Sequence, residues 1–297
     1  MDLRQLRYLV ALAEERSFTR AAARVLVAQP ALSQQIAKLE AELGVTLADR
    51  TTRQVGMTEA GDRLVDHARR ILRQVDVAAE DLAAMAGVRA GRLTIGASRT
   101  VGSLDLSSLL AEFYRRYPAV DLAVREDLSV NLAAALRADA LDLAFITRPP
   151  APDDDGLDLR LVSREPLVGI VAPGHRLARR KRLGVPLLEG EPIVTFPEGA
   201  TIRWRLEAAA ARAGYTPRVA FETNEVGRMR ALAAAGLAVA VLPRSDAELP
   251  GSPIAAVPFE EPEFRHTVYM ASRAERHHSP AAQAFIDLTL REHAAAP

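Results

Sequence analysis

The sequence contains no cysteine, which excludes disulfide frameworks, Cys-ligated zinc, iron–sulfur clusters and thiol-based redox sensing. Lysine is nearly absent too: Lys38 and Lys181 are the two lysines among 38 basic residues, a bias that a GC-rich bacterial genome explains without a functional cause. No charge of either sign prevails, since 38 Lys+Arg face 38 Asp+Glu, and this argues against a histone-like polycation. Long apolar runs are also missing. The longest, Ala231 to Leu242, has twelve residues, short of the roughly 20 that span a bilayer. The start, Met1-Asp2-Leu3-Arg4, carries charge where a secretory signal needs an apolar stretch, so a cytoplasmic protein without membrane attachment is expected. What is present, 297 residues that are 49% hydrophobic, suits two or three ordered domains of about 100–200 residues each.

Charge by segment is more telling than the total. Residues 1–58 carry eight Lys/Arg against six Asp/Glu, a net of +2, while 59–89 and 90–297 are each −1. In the slightly basic head, Leu3, Leu6, Val10 and Ala13 recur at helical steps. Ser17 is placed to cap a second helix from Phe18 to about Leu26 that buries Phe18, Ala22 and Val25. Val27-Ala28-Gln29 then leads into a third helix opened by Pro30 and ended by Gly44. Its Leu32, Ile36, Leu39 and Leu43 share one face, and Pro30, Ser33, Gln34, Ala37, Lys38 and Ala41 share the other. A solvated face is usually crowded with charge; a short-chained face of amides and hydroxyls suits a DNA groove. Two such helices joined by a tight turn make a helix-turn-helix. Val45-Thr46-Leu47 and Gln54-Val55-Gly56-Met57 can pair as a wing with Arg50 and Arg53 near its tip.

From Thr58 a long helix is expected. Leu64, Ala68, Ile71, Val75, Ala78, Leu82 and Met85 form an apolar seam over three heptads, which calls for a partner helix and so for dimerisation. A hinge at Gly87–Gly91 follows, and strand and helix patterns alternate from there on. Strands are expected at 93–96, 120–125, 141–147, 167–171, 192–196, 218–222, 237–242 and 267–272. Helices fall at 104–117, 131–138, 201–213, 225–235 and 280–293. That order implies an α/β domain with a parallel sheet, divided into two subdomains around a cleft.

Enzymatic readings fare poorly. Gly96-Ala97-Ser98-Arg99-Thr100 misses the last glycine of a nucleophile elbow. His277-His278 are adjacent rather than one helical turn apart, and Asp153-Asp154-Asp155 lacks the closing Glu of a calcium loop, so no metal and no cofactor is expected. Arg179-Arg180-Lys181-Arg182 reads as a solvated loop.

The chain resembles a LysR-type transcriptional regulator from end to end. The likeness is densest from Phe18-Thr19-Arg20-Ala21-Ala22 through Gln29-Pro30-Ala31-Leu32-Ser33-Gln34-Gln35-Ile36, Leu39-Glu40, Leu43-Gly44 and Asp49-Arg50 to Thr58-Glu59-Ala60-Gly61. It continues in Gly91-Arg92-Leu93-Thr94-Ile95-Gly96-Ala97, Tyr117-Pro118, Leu141-Asp142-Leu143-Ala144, Ala172-Pro173-Gly174-His175 and Gly236 to Pro243. Ala48 departs from the family's usual Phe, and Leu26 stands where a polar residue is common; both are expected on the supporting scaffold.

The resemblance implies an N-terminal winged helix-turn-helix (1–58), a linker helix (59–89) and an α/β effector-binding domain (90–297) similar to type 2 periplasmic binding proteins. Its subdomains would be about 91–162 with 266–297, and about 163–265. DNA contacts carry over to Gln29, Pro30, Ala31, Ser33, Gln34 and Lys38, with Ser17, Lys38, Arg50 and Arg53 meeting phosphates. Effector contacts carry over to Ser98, Arg99, Thr100, Thr147, Phe196, Thr201, Ile202, Arg203 and Asn224, and the two arginines suggest an anionic small molecule. The partners implied are promoter DNA, that effector, RNA polymerase and further copies of the chain, as a homodimer and then a homotetramer. The function implied is effector-modulated promoter binding and bending. A sequence-tolerant architectural DNA-binding protein with a vestigial cleft is the alternative.

Overall fold

The computed structural model describes residues 1–49, 55–85, 91–147, 156–274 and 277–293. They form two compact units, one of Met1–Arg89 with Ala138–Ala140, the other of Ala90–Arg137 with Leu141–Pro297. Among the described residues no helix is long and apolar enough to cross a membrane.

In the first unit, α1 (Leu3–Glu15) opens with a reciprocal cap: the Gln5 N–H donates to Asp2 Oδ1 at 2.8 Å and the Asp2 N–H to Gln5 Oε1 at 3.0 Å. Its buried face is Gln5, Leu6, Tyr8, Leu9, Ala11 and Leu12 rather than the expected Leu3–Ala13 stripe, and Leu3 is exposed. The reason is that α1 touches three helices, α2 (Phe18–Arg24), α3 (Gln29–Leu43) and α4 (Glu59–Met85), so one stripe does not describe what it covers. Ser17 caps α2 as expected, its Oγ accepting from the Arg20 N–H at 3.4 Å. Leu26 corrects its assignment to the scaffold: it takes a left-handed φ of 57° in the turn and is 90% exposed. On α3, Leu32, Ile36 and Leu39 are fully buried, whereas Leu43 in the last turn is exposed, contrary to its placement on the inner face.

The wing follows. β1 (Ala48–Asp49) pairs antiparallel with β2 (Gly56–Met57), and Glu40 Oε1 steers the chain into β1 by accepting from the N–H groups of Leu47 and Ala48. The wing tip lies outside the described residues, and Arg50 and Arg53 with it. Thr58 caps α4: its hydroxyl accepts from the Gly61 N–H at 3.0 Å and donates to the Thr46 carbonyl at 2.7 Å. The helix enters so close to the wing that a Cβ on Gly61 would stand 2.1 Å from the Leu47 oxygen. The seam divides in two. Ala68 is fully buried and Leu64 packs on the three-helix core, so these two are spent inside the single chain rather than offered to a partner. Ile71, Val75, Ala78 and Leu82 remain exposed; the Met85 side chain lies outside the described ones.

The second unit is built on a nine-stranded sheet: β3 (Gly91–Ala97), β4 (Val120–Glu126), β5 (Leu143–Thr147), β6 (Leu157–Val171), β7 (Pro192–Thr195), β8 (Arg218–Glu222), β9 (Val239–Pro243), β10 (Ala255–Pro258) and β11 (Arg265–Arg273). The spatial order is β4-β3-β5-β11-β6-β9-β7-β8, with β10 beside β6. The sheet is mixed, which corrects the parallel expectation. β4-β3-β5 and β9-β7-β8 are parallel sets, but β6 and β11 run antiparallel to each other and to the strands they flank. The expectation began β6 only at Leu167, although Leu157, Leu159 and Leu161 alternate with Asp158 and Arg160 as a half-buried strand does.

Helices cover both parallel sets: α5 (Leu106–Arg116), α6 (Ser129–Arg137) and α10 (Pro280–His293) on one lobe, α7 (Thr201–Arg212), α8 (Val226–Ala234) and the short α9 (Arg244–Glu248) on the other. Phe113, Phe145 and Phe285 meet edge-on in the first lobe's core. The second lobe has its own core of Ile193, Val194, Met229, Val239 to Leu242, Phe259 and Phe264.

Candidate functional site

The cleft between the lobes forms where strands stop and helices start. Ser98, Arg99 and Thr100 follow β3, Thr147 ends β5, Phe196 follows β7, Ala200, Thr201 and Ile202 open α7, and Asn224 precedes α8; all of them line one pocket. Residues read as distant segments of the sequence thus come together. Four members were missed, Ala200 and the run Asp127, Leu128 and Ser129. α6 begins at Ser129 rather than at Asn131, and the polar Asp127-Leu128-Ser129 before an apolar helix was the signal that could have placed it.

Ser129 is the hub. Its Oγ accepts from the Thr147 N–H at 2.9 Å and lies 3.2 Å from Thr147 Oγ1 and 2.8 Å from Ser98 Oγ. From the other lobe, Thr201 Oγ1 donates to the Thr147 carbonyl at 2.6 Å and so latches α7 to the end of β5. Gly96 lets α6 lie this close, since a Cβ there would reach Leu132 and Leu141 side-chain carbons at 2.7 Å. The Thr100 carbonyl is fixed from behind by His266 at 3.1 Å. His266 is 1% exposed, and burial pushes its pKa down to about 4, so it is neutral at pH 7.

The N-termini of α6 and α7 both face this cleft, and α7 has no side-chain cap, so its first-turn N–H groups and positive dipole end are directed at whatever enters. Space is small: the cavity holds about 30 Å³, room for about two or three waters. Arg99 lies 3.4 Å from Glu126 at the rim. Arg203 corrects the expectation: it lies outside the cleft, with contacts to Glu207 at 2.8 Å, Glu222 at 2.6 Å and Glu198 at 3.5 Å. It lines a neighbouring groove of about 510 Å³, together with Val130 and Trp204.

In the first unit, Gln29, Pro30, Ala31, Gln34 and Lys38 are all exposed along α3, with Ser33 half-buried beside them. Around them the arginines are engaged internally: Arg24 with Glu14 at 2.6 Å, Arg20 with Glu15 at 3.4 Å, and Arg69 with Glu14 at 3.3 Å. The face therefore presents amides, a hydroxyl and one ammonium.

Residues 3–62 match the family model of bacterial regulatory helix-turn-helix proteins of the lysR family, and residues 86–294 match the LysR substrate binding domain. The chain belongs to the LysR family. This LysR-type regulator is 33% identical over 297 residues to a hydrogen peroxide-inducible genes activator of Pectobacterium carotovorum subsp. carotovorum, covering 99% of this chain and 97% of that one. It is 30% identical to the transcriptional dual regulator GltC of Bacillus subtilis (strain 168), over 98% and 97% of the two chains. Among solved structures it is similar to a cysteine-substituted full-length OxyR from Pseudomonas aeruginosa, with a TM-score of 0.76, 29% identity and coverage of 100% and 95%. Full-length CbnR complexed with its target DNA gives a TM-score of 0.68 at 25% identity, over 98% and 99%. The LysR-type regulator is a DNA-binding transcriptional regulator with an effector-binding domain, and the architectural alternative is not favoured.

Proposed function

We propose that this LysR-type regulator binds promoter DNA through the exposed face of α3 and that a small polar effector in the interlobe cleft alters how it binds and bends that DNA. The observation that carries the effector half is the Thr201–Thr147 latch, set among the hydroxyls of Ser98, Thr100 and Ser129 and the N-termini of α6 and α7. An anionic oxygen suits those N–H groups; Arg99 contributes from the rim and Arg203 does not. The cleft must open to admit anything larger than water, and an effector that favours one lobe geometry shifts the population toward it.

On the DNA, Gln34 and Gln29 pair with base edges, Pro30 and Ala31 touch thymine methyl groups, and Ser17, Lys38, Arg50 and Arg53 meet phosphates. The Ser17 hydroxyl, though it accepts from Arg20, still has a proton to donate. The exposed half of the α4 seam, Ile71 to Leu82 with Met85, pairs two chains; effector-domain contacts join two dimers into a tetramer that presents its readers to RNA polymerase at the promoter. The boundaries 1–58, 59–89 and 90–297 serve these three tasks. The regulator works in the cytoplasm and catalyses no reaction: Ser98, the one nucleophile candidate, is hydrogen-bonded to a hydroxyl rather than to a base. With no cysteine, it cannot sense peroxide by forming a disulfide.

The test is a DNase footprint upstream of the protein's own gene with scrambled DNA as control. Extended protection of neighbouring sites is expected, and candidate effectors should change its pattern. Gln34→Ala should relax one base position at a cost of about 1–3 kcal/mol, whereas Lys38→Ala should weaken all sequences alike and lower the salt slope by about one. Equal, sequence-blind protection of both DNAs would restore the architectural reading.

A further inference from the structure

The ribbon of β6 and β11, which crosses between the lobes, has one face turned inward and one that carries an arginine cluster. The inward face buries Val162, Ser163, Glu165, His266 and Val268. The other carries Arg164, Arg265, Thr267 and Tyr269, with Arg164 paired in register to Thr267. Arg205 of α7 completes the cluster, and with Leu161 and Glu263 these side chains line a pocket of about 340 Å³. Among the described residues its lining carries three guanidinium groups and one carboxylate, a net of +2. Neither Arg164 nor Arg265 forms an ion pair among the described residues; Arg265 Nε donates to the Pro262 carbonyl at 2.9 Å. Arg205 is half-buried: burial disfavours its charge most, Tyr269 favours it, and Arg164 nearby disfavours it. Like charges gathered in a concave, partly dry site are relieved by a counter-ion, and guanidinium forks match carboxylate and phosphate oxygens bidentately.

We propose that this pocket is a second ligand site, separate from the interlobe cleft, that takes a compact dianion: a phosphate ester or a dicarboxylate. Thr267 and Tyr269 supply hydroxyls to its oxygens, and Leu161 gives an apolar wall to its carbon part. The site also has a route to the cleft. Arg205 lies one helical turn beyond Thr201, the residue that latches α7 to β5, while Arg164 and Arg265 belong to the crossover strands. An anion held by all three ties α7 to the ribbon and favours the latched cleft.

The experiment is calorimetric titration of the full chain with inorganic phosphate and, separately, succinate, at constant ionic strength set with sodium chloride. Saturable binding of at least one probe is expected, and which one binds identifies the source. Arg164→Ala and Arg265→Ala should each weaken it about tenfold, as the loss of one charge-assisted contact does. Arg99→Ala, at the rim of the cleft, should leave it within about twofold. Melting curves verify that both ribbon variants fold; Arg164 is exposed, so its replacement removes charge without opening a core. Trp204, the single tryptophan and the neighbour of Arg205, should report binding by a fluorescence change that Arg164→Ala shifts to about tenfold higher probe concentration. No saturable binding of either probe, unchanged affinity in both ribbon variants, or loss in Arg99→Ala alone would each overturn the proposal.

Discussion

Adding a single methyl group at Gly61 pits two effects against each other, and the structure says which wins. In an unconstrained helix, Gly→Ala stabilises by about 0.5–1 kcal/mol, because glycine loses more backbone freedom on folding. At Gly61 the new Cβ would lie 2.1 Å from the Leu47 oxygen, 3.0 Å from its carbonyl carbon and 2.8 Å from the end of Met57. The Met57 side chain can swing away. The Leu47 carbonyl cannot, since it accepts from the Thr58 N–H at 3.0 Å and Leu47 is itself buried. Reaching even a normal contact requires α4 and the wing to part by more than about 1 Å, which strains the Thr58 cap. Overpacking costs about 1–3 kcal/mol and a lost cap about 1 kcal/mol. Set against the helical gain, the net destabilisation is about 1–3 kcal/mol, or a fall of roughly 5–20 °C in the melting temperature of a unit this small. Scanning calorimetry of wild type, Gly61→Ala and Gly227→Ala decides the matter. Gly227 lies in α8, and a methyl group added there would meet nothing within 4 Å, so that variant should hold or gain stability. If Gly61→Ala melts at or above wild type, close approach of the linker helix to the wing is not a constraint and the reasoning fails.

Three further outcomes are expected. Thr201→Val keeps the side-chain shape but removes the donor to the Thr147 carbonyl; at about 1 kcal/mol per hydrogen bond, opening should become about fivefold more frequent, seen as faster amide exchange in the first turn of α7 and unseen if the latch has no weight. Acid stability should reflect two opposed groups. His266, held down at about 4, removes stability as pH falls from 6.5 toward 4, whereas Asp246, pushed up to about 6 by burial and then by Glu165, adds stability as pH falls from 6 toward 3.8. Asp246→Asn deletes only the second effect, so its melting temperature should drop more steeply than that of wild type between pH 6.5 and 4.5, and parallel curves would contradict the assignment. Lastly, hydrogen peroxide and dithiothreitol should both leave the promoter footprint unchanged, because the chain has no thiol to oxidise; a peroxide-dependent shift would require a different oxidisable group.

Much of this was legible in the residues, for physical reasons that differ by element. The third helix was readable because Leu32, Ile36 and Leu39 repeat on one face and Gly44 must take a left-handed φ of 71° at its end. The cleft residues after β3, β5 and β7 were readable because strand ends in an α/β sheet are where helix N-termini point. Side-chain direction was not readable. Arg203 and Ile202 are neighbours in sequence, yet one meets three carboxylates outside the cleft and the other is buried in its wall. The register of α1 was misjudged because its partners come from helices that follow it in the chain. The crossover ribbon was legible only in part: Leu157, Leu159 and Leu161 alternate with Asp158 and Arg160 as in a strand, but their pairing with a strand about a hundred residues later is not written in the local pattern.

That same distinction bears on what the similarity to peroxide-inducible activators means. Most positions of a chain this size build the scaffold, as the buried faces of the helices, the caps and the close approaches at Gly61 and Gly96 do here. A sensing chemistry, in contrast, requires only one or two reactive atoms in the right place, and a global identity is almost blind to them. Here the thiols are absent, while the interlobe cleft keeps a hub of hydroxyls, a latch across the lobes and two helix N-termini. These are groups that recognise oxygen-rich ligands by hydrogen bonding and release them unchanged, which is reversible binding rather than reaction. In the function proposed above, the groups that hold the effector and the groups that hold DNA are separate sets of residues. It follows that replacing the cleft's hydroxyls should silence the response to an effector and leave the DNA contacts of α3 intact, a separation that a footprint with and without effector measures directly.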